Sequence, residues 1–136
     1  MEQQCRLTVV VPADSADGLD ARVAPGFGRA PFFVIVGADW GRILEVRVEA
    51  NPAAGPAHKH GVAMRLIREL GADAVLANRI GAPAQAGLQQ AGLDVVRGAR
   101  GTVREAVEAY LRGEMAAAPV APSGWHFHGP GPKDVN

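Results

Sequence analysis

The sequence predicts one α/β domain built on a mixed five-stranded sheet, with elements in the order β-β-β-α-β-α-β-α. Two observations carry that prediction. Between residues 7 and 49 the apolar residues fall in short, strand-length runs separated by turn formers, whereas beyond residue 50 helical faces of period 3.6 alternate with brief apolar runs. A length of 136 residues also suits a single core, which makes a second domain unnecessary.

Leu7 to Val11 (LTVVV) is β-branched from Thr8 onward and stops at Pro12, as expected of a strand buried on both faces. Ala13 to Pro25 carries Asp14, Asp17, Gly18 and Asp20 with little periodicity and reads as a loop. Phe32 to Val36 is the second strand, and Ala38-Asp39-Trp40-Gly41 is a tight turn. The third strand, Ile43 to Glu49, alternates Leu44, Val46 and Val48 with Glu45, Arg47 and Glu49, giving one dry face and one wet face near a sheet edge.

A turn-rich link, Asn51 to Pro56, leads to the first helix, His60 to Leu70, whose Val62, Leu66, Ile67 and Leu70 share a face that stops at Gly71. Ala74 to Ala77 is the fourth strand. Pro83 suits the first turn of a second helix that ends at Gly92. Leu93 to Val96 is the fifth strand. Thr102-Val103-Arg104-Glu105 has the pattern of a capping box, opening a third helix with Val103, Ala106, Val107, Tyr110 and Leu111 on one face. After Gly113 the composition collapses into Ala, Pro and Gly, so residues 1–113 form the expected domain and 114–136 a disordered tail.

Composition narrows the function. Fourteen basic residues balance fourteen acidic ones, so the overall charge calls for neither nucleic acid nor an anionic membrane. No apolar run approaches the ~18 residues of a membrane helix, and the polar N-terminus is unlike a signal peptide, which predicts a cytoplasmic protein. A single cysteine, Cys5, excludes an internal disulfide and any site needing two thiolates from one chain. No Ser-His-Asp, Cys-His or phosphate-loop pattern is present, and the first strand lacks the carboxylates of a two-metal nuclease, so a non-catalytic protein is expected.

If the first three strands form an antiparallel meander and two crossovers add parallel strands, every Gly-rich segment falls on one edge of the sheet. Three helices begin at that edge, where free N–H groups and positive helix dipoles favour anions. The same edge collects Arg29, His58, Lys59, His60, Arg79 and Arg100, against Asp14, Asp17 and Asp20. Cations at helix N-termini forgo the ~0.3 to 1 kcal/mol that an acidic residue would gain there, as residues of a site often do.

Gly26 to Phe33 (GFGRAPFF) is the most unusual stretch, with Gly26 and Gly28 free to adopt positive φ or to approach a ligand, and with three of the chain's seven aromatic residues. It reads either as a structural turn anchored by Phe27 or as one wall of a binding site. Arg29 faces a ligand or pairs with Asp14 or Asp17. Asn78 contacts a ligand or caps the turn that follows it. His58 and His60 are metal-ligand candidates or supports for the first helix, and His126 and His128 in the tail are weaker candidates for Cu, Ni or Zn.

Taken in order, GFGRAPFF at Gly26 to Phe33, NPAA at Asn51 to Ala54, HKHG at His58 to Gly61, the Ala77 to Gly81 turn and the Gly101 to Ala106 segment make the chain resemble the dinitrogenase iron-molybdenum cofactor biosynthesis family. The resemblance covers roughly the first 113 residues. It implies a ribonuclease-H-like three-layer fold and a carrier of an anionic metal-sulfur cluster, iron-molybdenum or a related Mo, Fe or Cu sulfide. It implies cluster donor and acceptor proteins as partners. The residues proposed to meet that cargo are Gly26, Phe27, Gly28, Arg29, Asn51, Lys59, Asn78, Arg79, Gly81, Arg100 and Thr102, with His58 and His60 as metal ligands. A small regulatory interaction module without cargo is the alternative. A homodimer sharing the Gly-rich edge would supply a second wall to the site.

Overall fold

Residues 6–39, 41–52 and 60–115 are described by a computed structural model of the chain. Its elements follow the expected order: β1 (Arg6–Ala13), β2 (Phe32–Asp39), β3 (Arg42–Ala50), α1 (His60–Glu69), β4 (Ala74–Leu76), α2 (Ala82–Gln90), β5 (Asp94–Val96) and α3 (Val103–Leu111). The strands form one sheet in the order β3-β2-β1-β4-β5. β1 and β3 flank β2 in antiparallel pairing, while β4 and β5 run parallel to β1. The parallel half therefore grows from β1, which becomes the central strand. That position explains the unbroken Val9, Val10 and Val11, all three fully buried.

Successive strand residues point to opposite faces, so each face has its own core. On one side Val9, Val11, Val34, Val36, Leu76 and Val96 pack with Val103, Ala106 and Val107 of α3. On the other, Val10, Phe33, Ile35, Val75 and Val95 pack with Ala63 and Ile67 of α1 and Leu88 of α2. The result is three layers, with α3 below the sheet and the other two helices above it. No helix among the described residues is long and apolar enough to cross a membrane.

Two features depart from expectation. In β3 the register shifts so that Gly37 pairs with Glu45 and Ala38 with Ile43, and Leu44 becomes the extra residue of a bulge. The bulge changes the parity of the strand, so Ile43 joins the core beside Val46 and Val48 while Leu44 is 47% exposed. The loop between β1 and β2, expected to lack regular structure, contains a 3-10 turn at Gly18–Asp20 and packs Leu19 against the core. It then doubles back along β1: Asp14 N donates to Arg22 O and Ala24 N to Pro12 O. Val23 N donates to Gly101 O, and Val103 N to Ala21 O, which fastens the loop to the start of α3.

The capping box at α3 forms as its sequence predicts. Thr102 Oγ1 accepts from Glu105 N at 3.1 Å and Glu105 Oε1 accepts from Thr102 N at 2.9 Å. Gly101, at φ 82°, is required by this arrangement, because a Cβ there would collide with Glu105 Oε1. At the other end of α3, Gly113 is also left-handed, and Glu114 N donates to Ala109 O. Of the expected tail, residues 114–136, Glu114 and Met115 are described, with Met115 packed against the core beside α3, and residues from 116 onward, with Cys5 and Trp40, lie outside the described residues.

The cap predicts a graded loss of stability. Thr102→Ala should cost about 1 kcal/mol, and Gly101→Ala more than about 1 kcal/mol because it adds a strained backbone to a displaced Glu105. Urea unfolding midpoints check this, and midpoints equal to that of the unsubstituted chain would contradict it.

Candidate functional site

The carboxyl ends of β1, β4 and β5, with the amino end of β2, define one edge of the sheet, and the loops that meet there are joined by main-chain hydrogen bonds. Phe27 N donates to Arg79 O at 2.9 Å, tying the β1–β2 loop to the β4–α2 loop. Gly98 N donates to Asn78 O and Ala99 N to Ala77 O, tying the β4–α2 loop to the β5–α3 loop. Phe27 itself is 3% exposed, and its ring meets Phe33 of β2 with centroids 5.7 Å apart. A buried aromatic ring and a main-chain bond thus fix the Gly26–Arg29 segment from both sides.

Between these loops lies a cleft of about 620 Å³, lined by Gly26, Phe27, Gly28, Arg29, Arg79, Ile80, Gly81 and Arg97. That volume falls within the ~300 to 1,000 Å³ typical of small-ligand sites. Three arginines, one from each loop, border it, and all three are exposed. No carboxylate is among the described lining residues. A second, apolar hollow of about 380 Å³ adjoins it, sharing Phe27, Gly28 and Gly81 and adding Met64, Pro83 and Ala84.

The electrostatic pattern is consistent around the cleft. Among the described residues neither Arg29, Arg79 nor Arg97 forms an ion pair. The acidic loop is engaged elsewhere: Asp20 pairs with Arg104 at 3.2 Å, and Asp17 accepts from Ser15 Oγ at 2.9 Å. Arg29 therefore does not pair with Asp14 or Asp17. At α2, whose N-cap is Gly81, there is neither a side-chain cap nor an acidic residue in the first turn. The positive end of the α2 dipole consequently stays uncompensated beside the cleft, whereas the N-terminus of α3 is closed by Thr102 and Glu105.

The expected site residues separate into three groups. Gly26, Phe27, Gly28, Arg29, Arg79 and Gly81 come together along the cleft. Asn51, Asn78 and Thr102 act within the scaffold: buried Asn51 donates through Nδ2 to Ala30 O at 2.8 Å and through its main chain to Pro31 O. Asn78 Nδ2 donates to Ala99 O at 2.9 Å, and Thr102 caps α3. Arg100 is exposed and is not among the residues lining the cleft, where Arg97 takes the place expected of it. His58, Lys59, His126 and His128 lie outside the described residues, and His60 is placed only as the first residue of α1. No group of three His, Cys, Asp or Glu side chains converges among the described residues.

The glycines work differently from expectation. Neither Gly26 nor Gly28 has positive φ. A Cβ at Gly26 would meet nothing within 4 Å, so the fold does not need glycine there and the open space belongs to the cleft. Arg97 and Ile80 were not expected at the site. The signal for Arg97 is its place directly after Val96, at the carboxyl end of a parallel strand.

These contacts predict opposite responses at adjacent positions. Phe27→Ala should cost about 3 to 5 kcal/mol as a buried aromatic truncation. Gly26→Ala should change stability by no more than about 0.5 kcal/mol. Chemical denaturation of both variants checks this, and comparable losses would contradict it.

Comparison with known proteins agrees with this architecture. The family model described as dinitrogenase iron-molybdenum cofactor matches residues 8–113. An uncharacterized protein of Methanocaldococcus jannaschii, MJ0580, is 30% identical over 95 residues, spanning 69% of this chain and 80% of that protein. The apo form of the orange protein from Desulfovibrio gigas superposes with a TM-score of 0.73 at 30% identity, over 87% of this chain and 96% of that one. A Thermotoga protein of the DUF35 family gives 0.65 at 28% identity, over 82% and 92% of the two chains.

Proposed function

The chain belongs to the dinitrogenase iron-molybdenum cofactor family, and from that premise we propose that it carries an anionic metal-sulfur cluster as cargo in the cleft bordered by Arg29, Arg79 and Arg97. The observation that carries the reading is that three arginines from three separate loops line one cleft with no carboxylate among its described lining residues. Like charges gathered at one place repel one another, and a bound polyanion removes that cost. Guanidinium is weakly hydrated and offers a planar array of donors, so it suits an anion with a large, polarizable surface.

The mode of holding fits a carrier. Contacts through guanidinium groups, the open α2 terminus and apolar walls can be broken without displacing a covalent ligand, so cargo passes to an acceptor by competition. The one cysteine, Cys5, is not required by this arrangement. His58 and His60 precede and begin α1, and the family resemblance makes them candidates to contact a metal of the cargo directly. Both roles involve binding and release, with no bond of the protein made or broken by catalysis.

Anaerobic mixing with a cluster donor, followed by gel filtration, metal analysis and visible absorption, tests the proposal. Metal and absorption should travel with the protein. Arg29→Ala, Arg79→Ala and Arg97→Ala should each weaken retention by about 10- to 100-fold, the worth of a charge-assisted contact, while leaving the unfolding midpoint in place because all three are exposed. His58→Ala with His60→Ala separates direct ligation from charge. Retention unchanged in the triple arginine variant would overturn the site.

A further inference from the structure

α2 carries a glycine that its backbone does not call for. Gly87 lies inside the helix and is not in the left-handed region, at a position where glycine is less favourable than alanine. What it permits is a close contact. A Cβ at residue 87 would stand 2.6 Å from the ε-methyl carbon of Met64 on α1, well inside the ordinary separation of two carbons. The end of the Met64 side chain therefore lies in the space that an alanine would fill.

Met64 is half-buried and also forms a wall of the apolar hollow beside the arginine-lined cleft. The hollow's walls on α2, Pro83 and Ala84, precede Gly87 by four and three residues and so share its helix face. A Cβ added at residue 87 would lean toward the N-terminus of α2, the direction of Pro83 and Ala84. Toward the sheet the way is closed by Ile67 and Leu88, both fully buried. The displaced end of Met64 is thus driven into the hollow, and the flexible thioether chain fills it at little cost.

We infer that Gly87 is a positioning residue: by giving Met64 a berth on α2, it holds the hollow open as an apolar subsite for the ligand of the cleft. The hollow and the cleft share Phe27, Gly28 and Gly81, so a ligand anchored by charge at the arginines extends directly into it. The chemistry it takes is an anion with a poorly hydrated face. That this anion is the cluster rests on the carrier reading; the berth and the opening do not.

The test uses the full chain and 1-anilinonaphthalene-8-sulfonate, whose sulfonate suits the arginines and whose rings suit the hollow. In the unsubstituted chain one dye molecule should bind, with its ring protons near the Ala84 methyl, and the Met64 ε-methyl should lie near the Gly87 α-protons by NMR. Gly87→Ala should move the Met64 methyl toward Ala84 and raise the dye's dissociation constant at least about 10-fold. Its unfolding midpoint should stay at or above that of the unsubstituted chain, because alanine favours the helix. Adding Met64→Ala should return the dissociation constant to within about 3-fold of the original, a rescue that a purely structural glycine would not show. Dye binding that ignores Gly87→Ala, or a loss that Met64→Ala does not rescue, would overturn the inference. So would a dye that does not enter the hollow, or a displaced Met64 methyl that turns to solvent. The dye contains no metal, so a chain that retains no cluster yet gives these results supports the subsite and contradicts only the cargo.

Discussion

Phe27 holds two loops in one place. Its ring is buried against Phe33 of β2, and its main-chain N–H donates to the carbonyl of Arg79. The first contact is worth several kcal/mol as aromatic burial. The second removes the freedom of the β4–α2 loop to drift away. Arg29 lies two residues beyond the ring and Arg79 is the residue that accepts the bond, so the separation of the backbone segments that carry two of the three arginines follows from this anchor. The bonds from Gly98 to Asn78 and from Ala99 to Ala77 extend the same control to Arg97. Three exposed charged side chains on three loops would otherwise scatter, and their summed field would be diluted.

That field is built at the expense of local electrostatic stability. Near an exposed surface charges are screened within about 8 Å at physiological salt, so arginines are effective on a common ligand only if they border the same cleft. They do so here beside the uncapped N-terminus of α2, while α3 is sealed by Thr102 and Glu105 a short way along the edge. The contrast between two helix starts on one sheet edge, α2 open and α3 capped, supports the proposed cargo site beside α2. The adjoining hollow at Met64, Pro83 and Ala84 would give the proposed cargo an apolar side to rest on.

The fold was legible in the sequence because its signals are periodic: Val9 to Val11 for a doubly buried strand, the capping box for α3, glycines where helices stop. Two details were not. The bulge at Leu44 depends on how β3 meets Gly37 and Ala38, and no run of residues within β3 reports a partner strand's register. The 3-10 turn at Gly18–Asp20 depends on Leu19 packing against the core, and the loop's own residues, with little periodicity, do not report that contact. For the site, glycines and arginines mark the right edge, yet Arg97 and not Arg100 borders the cleft, because it directly follows β5 at the carboxyl end of a parallel strand. Asn51 illustrates the commonest confusion: a polar residue in a loop motif looks like a ligand contact, and the structure gives it a main-chain partner at Ala30.

The central claim is that cargo lies between the three arginine-bearing loops. Its most direct test is an anaerobic titration of ¹⁵N-labelled protein with a diamagnetic metal-sulfur cluster, followed by main-chain and arginine side-chain N–H resonances. The account predicts that the largest shifts fall at Gly26, Gly28 and Gly81 and at the Nε–H groups of Arg29, Arg79 and Arg97, with Asp73, Asp94 and the rest of the opposite edge unmoved. Shifts centred on that opposite edge, or saturable binding that leaves the three arginines unperturbed, would contradict it.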